Sequence, residues 1–250
     1  MDLSEFFQEY PSVAVAFSGG TDSAYLLYEA KRCAKSVRAY YVKSAFQPKF
    51  ELEDALRMVD ELDVQMTVID VDVLADDDII SNTQRRCYYC KRRIFSTIKE
   101  RALGEGFKVL LDGTNASDDV SDRPGMAALE ELSVLSPLRM CGLTKADIRR
   151  LSEEAGLFTW NKPPYACLAT RIFPGQQIEA RLLERTETAE GFLASLGFHD
   201  FRVRTVGELA RIQVRAKDIA LVMQHRKQIL ERLGKEYSGV CLDLETRDGE

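Results

Sequence analysis

The chain has 250 residues, 45% of them hydrophobic and 30% charged, which is the balance of a folded globular protein rather than a disordered or fibrous one. Its 34 Lys and Arg against 40 Asp and Glu leave a formal charge of −6, which argues against a protein that works by whole-surface attraction to nucleic acid. No run approaches the ~20 apolar residues of a membrane span, and the opening Met1-Asp2-Leu3-Ser4-Glu5 lacks the basic-then-apolar layout of a signal peptide; the expected location is the cytoplasm, with no membrane partner.

Along the chain, short β-branched runs alternate with helical patterns, the mark of a parallel α/β sheet. Val13-Ala14-Val15-Ala16-Phe17 is a continuous apolar run, as expected of a strand buried on both faces. A loop and a helix from about Ala24 to Ala34 follow, then a second strand at 37–42, an amphipathic helix at 50–62 and a third strand at 64–71. A helix at about 91–105 leads into a fourth strand at 108–111, a short strand is expected at 133–138, and a helix capped by Thr144 covers 145–155. Past Asn161-Lys162-Pro163-Pro164-Tyr165 the pattern changes to a helix at 179–196, two alternating strands at 201–206 and 209–215, a helix at 217–233 and a last strand at 240–244. The expected organisation is an α/β domain over residues 1–160 and a smaller α+β domain over 161–250.

Between the first strand and its helix stands Ser18-Gly19-Gly20-Thr21-Asp22-Ser23. Two glycines allow a tight turn that brings main-chain N–H groups to an anion, and the following helix aims the positive end of its dipole at the same point. Ser18, Thr21 and Ser23 add hydroxyls, and Asp22 suits a divalent cation held against phosphate oxygens. Neither the ATPase pattern G-x-x-x-x-G-K-[ST] nor the dinucleotide pattern G-x-G-x-x-G is present. The segment resembles the PP-loop of the ATP pyrophosphatase superfamily, and Asp112-Gly113-Thr114-Asn115 is similar to a second loop of that superfamily. The resemblance implies ATP and Mg²⁺ as cofactors and activation of a substrate oxygen as an AMP ester. It implies a nucleotide site that includes Val42 and Gly113 beside Ser18–Ser23.

Six cysteines, unevenly spaced, do not suggest a disulfide framework. Cys87-Tyr88-Tyr89-Cys90 places two thiols about one helical turn apart, and Cys167 follows the Pro163-Pro164 junction. Three thiolates leave a four-coordinate structural zinc site open, yet they hold three corners of a [4Fe–4S] cluster and leave one iron for an exogenous ligand such as sulfide. Lys91, Arg92 and Arg93 would favour ionised thiolates there. A dithiol redox pair, or half a zinc knuckle completed by Cys141, fits the same spacing. Cys33 and Cys241 read as core packing. The two histidines, His199 and His225, are too few for a His-based metal site.

In Phe201-Arg202-Val203-Arg204 the period of two puts both arginines on one face, and Arg211, Gln213 and Arg215 share a face of the next strand. Pairing across Gly207-Glu208 would gather guanidiniums suited to bidentate capture of phosphate or carboxylate, or simply a solvated face, the reading preferred for Arg215.

A longer similarity runs through Pro137-Leu138, Gly142–Arg149, Pro164–Arg171 and Phe201–Arg204 and resembles the LarE family of sulfur transferases, three-cysteine iron–sulfur type. It implies that a ring carboxylate of a pyridinium dicarboxylate mononucleotide is adenylated and that sulfur displaces AMP to leave a thiocarboxylate. It implies Cys167 as the sulfur-bearing residue, consumed in some members and a cluster ligand with Cys87 and Cys90 in others. It further implies Arg202, Arg204, Arg211 and Lys91 as substrate contacts, Glu190 as an acidic site residue that holds a cation, no nucleic-acid partner, an unspecified sulfur donor and a homo-oligomer. The rival readings are a cluster-dependent tRNA thiolase, an amidotransferase of NAD-synthetase type, and a nucleotide-sensing domain of the universal stress type.

Overall fold

The computed structural model describes residues 1–118 and 124–247. The chain forms two compact units, one of Met1–Val73 with Gln84–Pro164, the other of Leu74–Thr83 with Tyr165–Glu250. Among the described residues no helix is long and apolar enough to cross a membrane.

In the first unit α1 (Leu3–Glu9) precedes β1 (Ser12–Ala16), α2 (Thr21–Cys33), β2 (Ser36–Lys43), α3 (Lys49–Glu61) and β3 (Met66–Asp70). After α4 (Asp77–Ile80), which belongs to the second unit, come α5 (Arg86–Gly104), β4 (Val109–Leu111), α6 (Pro124–Glu131), α7 (Pro137–Met140) and α8 (Lys145–Glu154). The four strands are parallel in the order β3-β2-β1-β4. This is the expected α/β sheet, with β1 interior and Val13, Ala14 and Val15 fully buried. The chain steps outward from β1 through β2 and β3, then returns to the other flank of β1 as β4. Such a reversal opens a crevice at the carboxyl ends of the two central strands, where α/β folds bind ligands.

Local features also differ from the sequence-based expectation. Residues 3–9 form a helix, because Asp2 and Glu5 close a reciprocal capping box and Phe6 and Phe7 bury against the core. The strand expected at 133–138 shrinks to a single bridge, Leu111 to Leu135, and Pro137 then opens α7 at a position where its missing N–H and fixed φ suit a first helical turn. Thr144 caps α8 as expected, in a box with Asp147.

The second unit adds α9 (Ala180–Ser195), β5 (Phe201–Val206), β6 (Leu209–Val214), α10 (Ile219–Gln224), α11 (Arg226–Leu233) and β7 (Gly239–Leu242). β5 and β6 are antiparallel, while β7 runs parallel to β6, so this small sheet is mixed. The helix expected at 217–233 breaks at His225, whose backbone leaves helical geometry. Cys241, expected in the core, is exposed on the edge strand β7. Residues 74–83 join this unit through Asn82, which is 1% exposed. Its side-chain amide donates to the carbonyls of Phe173 (2.8 Å) and Gln176 (3.1 Å), and its own carbonyl accepts the Gly175 N–H at 3.0 Å.

Glu105, at the end of α5, ties that helix to β2: it accepts from Arg38 Nη1 at 2.6 Å, Tyr40 Oη at 2.9 Å and Arg101 Nε at 2.6 Å. Desolvation alone would raise its pKa, but the donors outweigh that and hold the carboxyl down at about 2, against an ordinary 4.5. A depressed carboxylate stabilises the fold above its unfolded pKa and stops doing so as pH falls through the folded value. Glu105→Gln is therefore expected to be destabilised relative to the parent by a constant amount above about pH 5. That gap should close between about pH 4.5 and about 2 in urea titrations at stepped pH.

Candidate active site

The turn from β1 into α2 is built on Gly19, whose φ of +71° lies in the left-handed region. A Cβ there would also stand 3.1 Å from the Glu51 carbonyl oxygen and 3.3 Å from Ala55 on α3. Gly20 then caps α2 in an extended conformation. The Ser18 and Ser23 hydroxyls are 3.1 Å apart, and Ser23 Oγ accepts the Ser18 N–H at 3.3 Å and donates to the Gly20 carbonyl at 3.2 Å, which holds the loop in shape. Thr21 turns its hydroxyl away, donating to the Thr159 carbonyl at 2.8 Å.

A cleft of about 270 Å³ opens over this loop, walled by Ser18, Gly20, Asp22 and Ser23 on one side and by Asp112, Gly113 and Thr114 on the other, with Lys91 of α5 also on its wall. The two loops meet closely: a Cβ on Gly113 would sit 3.0 Å from the Ser23 nitrogen, so any larger residue would have to push the start of α2 back by a few tenths of an ångström. Asp112 is fixed by Thr114 Oγ1 at 2.5 Å and Ser136 Oγ at 2.6 Å. Both oxygens of Asp22 accept from Lys145 Nζ, at 2.8 and 2.7 Å, from the first turn of α8. Main-chain N–H groups at a helix start, an ammonium on the wall and carboxylate oxygens together suit a phosphate chain with a divalent cation. Val42 is buried in β2, where it pairs with Ile69.

Cys87 and Cys90 lie in the first turn of α5, one exposed and the other half-buried. Arg86 Nη2 donates to Cys87 Sγ at 3.8 Å, while Arg85 stacks over Tyr88 and Tyr89 at 5.2 and 5.5 Å and Arg92 over Tyr88 at 5.6 Å. Cys141 instead packs against the core of the first unit, and burial raises its thiol pKa, which fits packing better than a metal knuckle. Among the described residues no three His, Cys, Asp or Glu side chains gather to hold a metal ion.

In the second unit Cys167 is half-buried and precedes a tight turn, Leu168–Arg171. Arg171, 1% exposed, donates through Nη1 to the Ala166 carbonyl at 2.9 Å and to Thr170 Oγ1 at 2.7 Å, while Thr170 Oγ1 donates to the Cys167 carbonyl at 2.8 Å. Its Nε and Nη2 grip Glu190 at 2.8 and 3.2 Å. Glu190 also accepts from Tyr165 Oη at 2.5 Å and from the Val203 N–H at 2.9 Å, so its carboxylate locks the cysteine segment to β5. The strand register sets Arg202 opposite Gln213 and Arg204 opposite Arg211, which places them on one face as the alternation predicts. Arg202 is buried over the Tyr165 ring; desolvation and the nearby Arg171 and Arg247 lower its pKa to about 10, while Glu190 and Asp200 oppose that shift. Arg211 pairs with Asp243 at 3.3 Å, and Arg215 lies past the end of β6 near Asp200 and Asp218.

The family model of the queuosine biosynthesis protein QueC matches residues 12–88. The chain is 32% identical to the slr1717 protein of Synechocystis, over 98% of this chain and 92% of that one. It is also 32% identical to the pyridinium-3,5-bisthiocarboxylic acid mononucleotide synthase of Lactiplantibacillus plantarum, over 93% of this chain and 85% of that one. The chain belongs to the LarE family. It is a sulfurtransferase of the PP-loop ATP pyrophosphatase superfamily. A more distant match, at 25% identity over 60% of this chain and 54% of the relative, is the tRNA-specific 2-thiouridylase MnmA of Thermotoga petrophila.

Several residues of the candidate site escape a linear reading. Lys145 stands in sequence within the Gly142–Arg149 similarity and at a capped helix start, neither of which points to Asp22; the available signal is that a lysine in a first helical turn opposes the helix dipole. Ser136, Thr159 and Lys162 carry no such signal. Arg171 and Glu190 form a pair whose loss leaves a buried charge uncompensated. Glu190→Ala is expected to cost about 3–5 kcal/mol in urea unfolding of the metal-free protein. Breaking the exposed Arg181–Glu179 pair should leave the midpoint nearly unchanged in the same assay. An unchanged midpoint for Glu190→Ala would count against this anchoring role.

Proposed function

We propose that this LarE-family chain is an ATP-dependent sulfur insertase that converts a carboxylate of a pyridinium dicarboxylate mononucleotide into a thiocarboxylate. The observation that carries the reading is the cleft where the Ser18–Ser23 loop faces Asp112–Thr114 at the carboxyl ends of β1 and β4. The printed activity of the Lactiplantibacillus plantarum relative supports the choice of substrate.

In this reading the glycine-loop N–H groups bind the phosphate chain of ATP, and Lys91, on the wall of the same cleft, contacts the substrate. A substrate carboxylate oxygen attacks the α-phosphorus and pyrophosphate leaves, its charge met by the loop N–H groups and the start of α2. A sulfur nucleophile then attacks the acyl carbon and AMP leaves, giving the thiocarboxylate. Arg202, Arg204 and Arg211 hold the substrate's phosphate and second carboxylate, to which a guanidinium fork is matched. Asp22 and Asp112 supply oxygen donors of the kind Mg²⁺ takes alongside phosphate oxygens, and the cation when bound neutralises phosphate charge.

Cys167 serves the sulfur step as a cluster ligand. We assign Cys87, Cys90 and Cys167 as ligands of a [4Fe–4S] cluster, on the chemistry of three thiols outside any disulfide, one exposed and two half-buried. Such a cluster, when bound, offers an open iron to inorganic sulfide.

Two measurements test the assignment. Cys167→Ala is expected to abolish thiocarboxylate formation while AMP release with substrate and ATP stays detectable; loss of both together would overturn the role given to Cys167. Anaerobically purified protein should hold about four irons and four acid-labile sulfides per chain, lost in Cys87→Ala/Cys90→Ala. Iron-free protein after anaerobic reconstitution would overturn the cluster and leave Cys167 as a sulfur donor consumed once.

A further inference from the structure

The glycine loop is gripped from behind by a segment that sequence motifs do not connect to it. Lys162, whose side chain is 15% exposed, donates through Nζ to the Gly19 carbonyl at 3.1 Å and forms an ion pair with Asp54 of α3 at 2.6 Å. The Phe50 ring lies 5.6 Å from the same ammonium. Three residues earlier, the Thr159 carbonyl accepts the Thr21 hydroxyl, so the segment holds the loop at two points that flank Gly20. The segment is itself anchored to α8, because Arg149 donates to the Lys162 carbonyl at 3.2 Å and to Asn161 Oδ1 at 3.4 Å. That helix is the one that presents Lys145 to Asp22.

Gly19 is the loop residue with a left-handed φ, and α3 fills the space where its side chain would be. The Gly19–Gly20 peptide is trans, so its N–H points opposite to its C=O. Whatever fixes the Gly19 carbonyl therefore fixes the direction of the Gly20 N–H, and Gly20 lines the cleft. A flexible glycine pair has no intrinsic preference for that peptide orientation, and rotation of the plane would turn an oxygen toward the bound anion.

We infer that Lys162 is a positioning residue of the glycine loop: it holds the Gly19 carbonyl outward so that the Gly20 N–H stays directed at the pyrophosphate part of the nucleotide. The inference rests on the ATP reading of this cleft and deepens it. Asp54 holds the Lys162 ammonium in place, and α8 couples this grip to the Lys145–Asp22 bridge.

The test is calorimetric titration of the full-length protein with Mg-ATP, Mg-pyrophosphate and AMP, for the parent, Lys162→Gln and Asp54→Ala. A hydrogen bond to a charged group is strong enough to change an equilibrium by roughly tenfold or more. Lys162→Gln should therefore weaken ATP and pyrophosphate about tenfold and AMP by less than about twofold, measured under conditions where urea titration shows the variant fully folded. Asp54→Ala should show the same selectivity to a smaller extent, which keeps the test available if Lys162→Gln does not fold. The loss should persist at high salt, because a purely long-range charge effect is screened at ionic strengths near 1 M, where the Debye length is about 3 Å. Unaltered pyrophosphate affinity in the variants, a parallel loss of AMP, or disappearance of the effect at high salt would each overturn the inference while leaving the ATP reading intact. A parent protein that binds neither ATP nor pyrophosphate would overturn both.

Discussion

Everything in the first unit is arranged around one requirement: a few main-chain N–H groups must point together at the carboxyl end of β1 with no side chain in the way. Side chains that bind anions also carry rotamer freedom, whereas amides at a helix start are fixed by the helix itself and cost no further ordering. Meeting the requirement dictates the neighbours. Gly19 must be left-handed, which clears space for α3 to abut it; Gly113 lacks a Cβ, which lets the β4 loop reach the start of α2. The strand order β3-β2-β1-β4 puts both loops at the same edge, so the sheet topology and the anion cradle are one solution.

Around that cradle the charges are paired with care. Asp22 and Asp112 would repel a phosphate chain if left bare, yet each is already engaged, Asp22 by an ammonium and Asp112 by two hydroxyls. The carboxylates thus keep their orientation without presenting full negative charge to the cleft. The second unit pairs its charges as well. Arg171 is matched by Glu190 and Arg247 by Asp200, while Arg202 lies beside both arginines with its pKa drawn down. A buried ion pair of this kind contributes little net stability against an apolar alternative, but it specifies a single arrangement. Here that arrangement joins the segment bearing Cys167 to the strand bearing Arg202 and Arg204.

The overall charge of −6 and these local basic features are compatible because they act at different ranges. Net charge governs long-range association with polyanions, screened beyond roughly 8–10 Å in physiological salt. Affinity for one phosphate depends on groups within a few ångströms, where burial of Arg202 matters more than forty scattered carboxylates on the chain.

Local chemistry was written in the sequence wherever a residue's role depends on its near neighbours. The apolar run of β1, the Ser18–Ser23 turn, the Thr144 cap and the alternation that sets Arg202 and Arg204 on one face all follow from interactions spanning a few positions, and each is legible without coordinates. The short strand expected at 133–138 is a bridge at Leu135 followed by a helix that opens on Pro137, a difference set by the contact with Leu111 of β4. What the sequence leaves open is set by pairings between distant positions: Lys145 lies 123 residues from Asp22, Lys162 lies 143 from Gly19, and Asn82 lies 91 from Phe173. At such separations no spacing rule links donor to acceptor. Only the folded sheet, by placing β1 and β4 side by side and α8 next to α2, decides which lysine meets which loop and which short segment returns to the second unit.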